Sequence, residues 1–299
     1  MTISVDISSR SPVAPSRRGL GDKLAELADG YAARMNEGDF ATALRRGRLD
    51  RRSYVAFLAM MYPAVVGFNR ALIRSIAKVD HVRQSSLVRA LAKQLHEEQA
   101  HNQMWRGSLA AFGVDHEALY SDLERYLARF DRAELDRLTA RVVSAVSRDL
   151  SAGASGHFPD APFPDAVLAL YHHLEMLATR PNISHWEHFG SQASIEMIIF
   201  NVVSASILPG IRATPALDLG AATTGWWRAH GEIAGEEDGS NEERRHLQLS
   251  RAALNRSAAA SMHAEAVLER AEATMQLFAA ALLCQPTAAA RFPLERYAK

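Results

Sequence analysis

Residues 51–77 read RRSYVAFLAMMYPAVVGFNRALIRSIA, and this stretch decides the fold class. Tyr54, Phe57, Leu58, Met61, Tyr62, Val65, Phe68, Leu72 and Ile76 recur at three- and four-residue steps, the spacing of one apolar helix face. Asp50 stands where a helix N-cap belongs, and Pro63 marks a place where the helix can kink. Strand-like alternation of Val, Ile and Thr is almost absent from the chain, so the class is all-α. Outward from this segment, a helix is expected from Leu20 to Met35 and a short one from Phe40 to Arg46, stopped by Gly47. On the other side one runs from about Gln84 to Phe112 and ends at Gly113. Further helices are expected at Ala166–Thr179, Ile183–Leu208, Gly220–Ile233 and Ser250–Cys284. Ser151–Asp165, rich in Ser, Gly and Pro, reads as a loop within one bundle.

Composition excludes several classes of function. Lys plus Arg and Asp plus Glu both number 34, so no net field attracts nucleic acid or an anionic membrane. The uninterrupted apolar runs are shorter than the roughly 20 residues a membrane span needs. The single cysteine, Cys284, can form neither an internal disulfide nor a cysteine-based zinc site, which fits a reducing, cytoplasmic setting. Residues 1–19 carry Arg17 and Arg18 without an apolar run behind them, so they read as a disordered tail and not as a secretory signal. Residues 20–299 then read as a single helical domain.

The chemistry lies among twelve histidines, several of them beside glutamates. Glu98-x-x-His101 places two ligand types about 60° apart on one helix face, within reach of one metal ion. Glu-x-x-His pairs of this kind, with glutamates from neighbouring helices, build di-iron sites in helical bundles. The commoner fate of such a pair is a solvated helix face. Glu196 sits in an apolar run, QASIEMIIF, where a carboxylate is costly to bury without a partner or cation. An interhelical ion pair is the plain alternative. His230 follows Trp226 and Trp227, and Glu243-x-x-His246 repeats the Glu98/His101 spacing. His230 and His246 are sixteen residues apart, about 160° on a straight helix, so they can share a site only if the helix breaks near Gly235 and Gly239.

Phe40-x-x-Ala43-Leu44-x-x-Gly47-x-Leu49, Tyr54-x-x-Phe57-Leu58 and Tyr62-x-x-Val65-x-x-Phe68-x-Arg70-x-Leu72 resemble the opening helices of TenA-type thiaminases and pyrroloquinoline-quinone-synthase-like proteins. Leu95 to Asp115, with Ala100-His101, Met104-Trp105 and Ala111-Phe112-Gly113-Val114-Asp115, is similar to one branch of that haem-oxygenase-like superfamily, the di-iron oxidases and oxygenases. The resemblance implies a haem-oxygenase-like bundle of about seven helices. It also implies a metal set drawn from Glu and His on one core helix, Glu on a second, and a His-x-x-x-Asp-x-x-His run on a third. Glu98, His101 and Glu196 match the first two elements, and His230 follows Glu196 at a family-like 34 residues. The third element departs, because counting from His230 the next two positions fall on Ala234 and Glu237. Counting back from the last helix, Glu243 and His246 take those roles, and this registry is the one adopted.

The implied function is an O2-dependent oxidase or oxygenase. It would carry Fe(II), two ions, on Glu98, His101, Glu196, His230, Glu243 and His246, and act on a small carboxylate such as an amino acid or fatty acid. Arg70 or Arg74 could hold that carboxylate, although an ordinary surface arginine is the commoner reading. The competing readings are a metal-free binding or scaffold protein and a cofactorless thiaminase-like enzyme, for which Cys284 lies too late in the chain. Arg51–Val79 contains no acid, which disfavours a ferritin-like site. The fold resemblance and the alanine-rich last helix also suggest a homodimer.

Two measurements check this organisation. Limited proteolysis should cut within residues 151–165 without releasing two halves that melt cooperatively alone. Sedimentation at micromolar concentration should show a dimer, and a sharp monomer boundary would remove that expectation.

Overall fold

The computed structural model describes residues 18–149, 163–233, 242–283 and 285–299. In chain order the helices are α1 (Leu20–Glu37), α2 (Asp39–Arg45), α3 (Arg51–Ile76), α4 (Ser85–Ala111), α5 (His116–Leu127), α6 (Arg132–Val146) and α7 (Asp165–Thr179). They continue with α8 (His185–Val202), a π-turn at Val203–Ile207, α9 (Leu208–Ala213), α10 (Ala221–His230), α11 (Glu242–Arg256), α12 (Ala258–Met262), α13 (Ala264–Leu283) and α14 (Gln285–Arg291). The all-α class holds, with no sheet among the described residues and one isolated antiparallel bridge, Val114 to Ala298. The expected count of about seven helices does not.

The extra helices have local causes. Asp115 caps α5 by accepting from the Glu117 and Ala118 amides, and Asp131 with Glu134 forms a capping box at the start of α6. Both signals stand in the sequence between the expected helices. The run expected over Ser250–Cys284 begins earlier and is cut into α11, α12 and α13. Ser257 accepts from the Ala260 amide at 3.0 Å and so starts a new helix inside an alanine-rich stretch. Asp50 caps α3 as expected, taking the Ser53 amide at 2.9 Å, and α3 continues through Pro63. Gly113, at φ 81, ends α4 in the left-handed region where a side chain would be strained.

Two helices form the axis of the bundle. α3 packs on α7 and α4, while α8 packs on α13 and α1. Helices 51–76 and 185–213 are long and apolar enough to cross a membrane, contrary to the reading of their separate apolar runs. Their most apolar windows are, however, 78% and 67% buried inside the fold, so the apolarity faces the core. α10 is bolted to α3 by aromatic contacts. Trp227 Nε1 donates to the Tyr54 hydroxyl at 2.7 Å and its ring stacks on Phe57, while Trp105 Nε1 from α4 donates to Leu58 O at 3.2 Å. These contacts hold α3, α4 and α10 in register where the polar residues gather.

Leu58 is fully buried at the centre of this junction. Leu58→Ala should cost ~2–5 kcal/mol, read as a lower urea midpoint with an unchanged m value.

Candidate metal centre

Glu98 and His101 lie one turn apart on α4, both buried, with His101 Nδ1 3.4 Å from Glu98 Oε1. His230, the last residue of α10, comes to them from the other side. Its ring stands edge-on to His101 with centroids 4.3 Å apart and stacks on Trp226 at 3.8 Å. His230 Nδ1 lies 2.8 Å from the Trp226 carbonyl oxygen. A carbonyl only accepts, so Nδ1 carries the proton and Nε2 keeps its lone pair for a metal. One ligand atom from each of Glu98, His101 and His230 lies within 4.8 Å of the others, a buried set that can chelate one metal ion.

The remaining expected residues interact electrostatically with Glu98 of this triad. Glu196, on α8, is buried, and its Oε1 accepts a short hydrogen bond from Gln94 while Oε2 has no partner. Burial first and the Glu98 charge second push its carboxyl up to about 8. Glu243, near the start of α11, is buried with neither oxygen hydrogen-bonded. Burial, then the charges of Glu196, Glu98 and Glu97, hold its carboxyl well above the usual range. Glu98 goes the other way. Burial raises it, yet the hydrogen bond with His101 and the charges of His230, His101 and His246 leave it below its ordinary value. The His230 imidazole is pushed down to about 4, mainly by burial and then by His101. His246 turns elsewhere, with Nε2 2.8 Å from Glu97 Oε2 and Nδ1 unpartnered.

The break that His230 and His246 require is present, since α10 ends at His230 and α11 begins at Glu242. The rival registry through Ala234 and Glu237 lies outside the described residues, as do Gly235 and Gly239. So does Cys284. Glu97 was not anticipated; beside Glu98 it faces α11 and also receives Lys93 Nζ at 2.7 Å. Its i,i+4 spacing from Lys93 reads in sequence as an ordinary surface pair. Arg70 and Arg74 do not serve the site. Arg70 pairs with Glu124 at 2.7 Å and donates to the Tyr171 hydroxyl, and Arg74 pairs with Glu175.

Beside the triad an apolar cavity runs between α3 and α8, walled by residues such as Phe57, Met61, Phe68, Ile195, Ile199 and Phe278. Glu98, Glu196, His230 and Asn69 form its polar end.

No family profile matches the sequence, and no curated protein does. Solved structures do match. A TenA homologue from Pseudomonas syringae pv. tomato DC3000 aligns at TM-score 0.56 and 14% identity, over 89% of this chain and 94% of its own. A domain of unknown function with a haem-oxygenase-like fold from Shewanella denitrificans OS217 aligns at TM-score 0.56 and 18% identity, over 93% of both chains. The fold is therefore of the TenA and haem-oxygenase-like kind.

The titration of Glu196 gives a pH test on chelator-treated protein. Between the ordinary 4.5 and about 8 the folded state keeps a proton that the unfolded chain has lost, so this group lowers stability as pH rises through that window. The stability of Glu196→Gln relative to the parent should therefore grow from about pH 4.5 to about 8 and level off above. A difference independent of pH would contradict the assignment.

Proposed function

We propose that this protein is a metal-dependent oxidoreductase, an iron oxidase or oxygenase, acting on a small substrate with an apolar portion. The observation that carries the reading is the set of buried, unpartnered ligand atoms. Glu196 Oε2 and both Glu243 oxygens lack hydrogen-bond partners while feeling the charge of Glu98, which shares a chelating set with His101 and His230. Buried carboxyls in mutual repulsion must either stay protonated or meet a cation, and the mixed carboxylate and imidazole donors suit iron.

Glu98, His101 and His230 would hold one ion. Glu196, Glu243 and His246 would be the donors for a second, which makes a two-iron site like that of the oxidases the sequence resembles the fuller form of this proposal. Bound iron would supply redox chemistry with O2. The residues of the chain supply the rest. Trp226 fixes the His230 tautomer and ring plane through its carbonyl and its indole face. Gln94 holds one Glu196 oxygen and leaves the other for a ligand. The apolar cavity takes the hydrocarbon part of the substrate and keeps water from the polar end.

A second reading is a metal-free binding protein or cofactorless enzyme on the same fold. The likeness to a TenA homologue over 89% of the chain favours it. In that case Glu196 and Glu243 remain protonated, and the cavity alone binds the ligand. Metal analysis after anaerobic Fe(II) loading separates the two. The parent should retain at least one iron per chain, His101→Ala should lose iron binding, Glu196→Ala should lose any iron beyond one per chain, and both should lose O2 consumption while keeping helicity near normal. A parent that retains no iron would leave the metal-free reading.

A further inference from the structure

The helix that carries Glu196 is interrupted about two turns beyond it. At Val203–Ile207 the backbone adopts a π-turn, and the Leu208 amide reaches back five residues to Val203 O. Such turns insert one residue into an α-helix and shift the faces on either side, and they concentrate at functional sites. This one has three separate attachments. Val203 and Ile207 form part of the cavity wall. Ser206, fully buried, receives Arg45 and donates to Asn36 Oδ1 at 2.5 Å, which ties the turn to α1 and α2. The third attachment is to the residues after His230.

There the chain leaves α10 and lies directly on the π-turn. The Glu232 amide donates to Ser204 Oγ at 2.9 Å. Gly231 has φ −161 and ψ 173, an extended conformation open to any residue, so its lack of a side chain answers a need for space. A Cβ on Gly231 would fall 2.5 Å from Val203 Cγ1, 3.0 Å from the Ser204 amide nitrogen and 3.0 Å from Val203 Cβ. Val is β-branched and stiff at χ1, and the Ser204 nitrogen is backbone, so the Gly231 side of the contact would have to move. His230 is the neighbouring residue and the last of its helix, so it would move too. On its other side His230 is held by Trp226, and Trp227 is fixed to Tyr54. The imidazole therefore sits between a rigid aromatic anchor and a backbone stop.

We propose that the π-turn is the dock that sets the ligating position of His230, with Gly231, Val203 and Ser204 as its positioning residues. This rests on the reading that Glu98, His101 and His230 bind metal.

Cobalt(II) serves as the probe, with its ligand-field absorption reporting affinity and coordination. Gly231→Ala should weaken Co(II) binding by roughly 10–100-fold, the usual cost of losing a residue that orients a ligand, and should alter the band shape. The double variant Val203→Ala/Gly231→Ala should recover part of the affinity and move the spectrum back toward the parent, because the 2.5 Å contact with Val203 Cγ1 is gone while those with Val203 Cβ and the Ser204 nitrogen, at 3.0 Å, remain. A merely structural glycine would not be rescued in the spectrum. Ser204→Ala should weaken binding several-fold, and Ser204→Thr, which keeps the hydroxyl, should restore it. If Gly231→Ala does not fold, the Ser204 pair decides. Parent-like Co(II) affinity in Gly231→Ala or in Ser204→Ala would overturn the dock. A parent that binds no Co(II) would instead count against the metal reading. The dock is then judged by histidine side-chain 15N correlations of the metal-free protein: displaced His230 signals in Gly231→Ala that move back toward the parent in the double variant support it, and unmoved signals overturn it.

Discussion

A carboxylate in a helix buried on every side must be neutralised, paired or bound to a cation, and α8 carries such a group through the centre of the bundle. Glu196 receives one hydrogen bond, from Gln94, and faces the like charge of Glu98. Glu243 adds a third acid with no hydrogen bond at all. No arginine or lysine pairs with either of these two oxygens-rich groups among the described residues. Burying several acids together costs stability, and natural proteins keep such clusters where a ligand offsets the repulsion. The rest of the architecture is arranged around that cost. Aromatic contacts lock α3, α4 and α10, and α10 delivers a neutral imidazole into the acid cluster.

The histidines divide by surroundings. His230 is desolvated and its tautomer is set by a carbonyl, which favours the neutral imidazole with Nε2 unprotonated. His101 lies against Glu98 and edge-on to His230. His246 pairs with Glu97, an acid that also serves Lys93, which keeps it at the rim of the triad. The same side-chain chemistry thus takes different roles according to burial and neighbour. Glu98, His101 and His230 form a compact set that can chelate one metal ion.

The likeness to a TenA homologue and to a haem-oxygenase-like domain spans most of the chain, yet at 14% and 18% identity it describes the backbone path alone. Such a bundle offers a central cavity between helices, and what fills or lines it decides the chemistry. Here the cavity is apolar along α3 and α8 and polar at one end, where the acids and His230 meet.

The all-α class, the main helices and the Glu98/His101 pair were legible because each rests on local periodicity: apolar residues at three and four, and two ligands one turn apart. Glu196 was legible for a different local reason, a charge inside an apolar run. The caps at Asp115 and Asp131 were equally present in the sequence, while the cut at Ser257 was hidden by the alanines around it. Tertiary structure alone decided the rest. Whether His230 meets His101 depends on how α10 packs against α4, and the pairing of Glu97 with His246 depends on where α11 lies. Arg70 and Arg74 look in sequence like free cations, but helices remote in the chain supply Glu124 and Glu175 as their partners. The π-turn and its fit to Gly231 follow from contacts between segments about 28 residues apart, which no local propensity encodes.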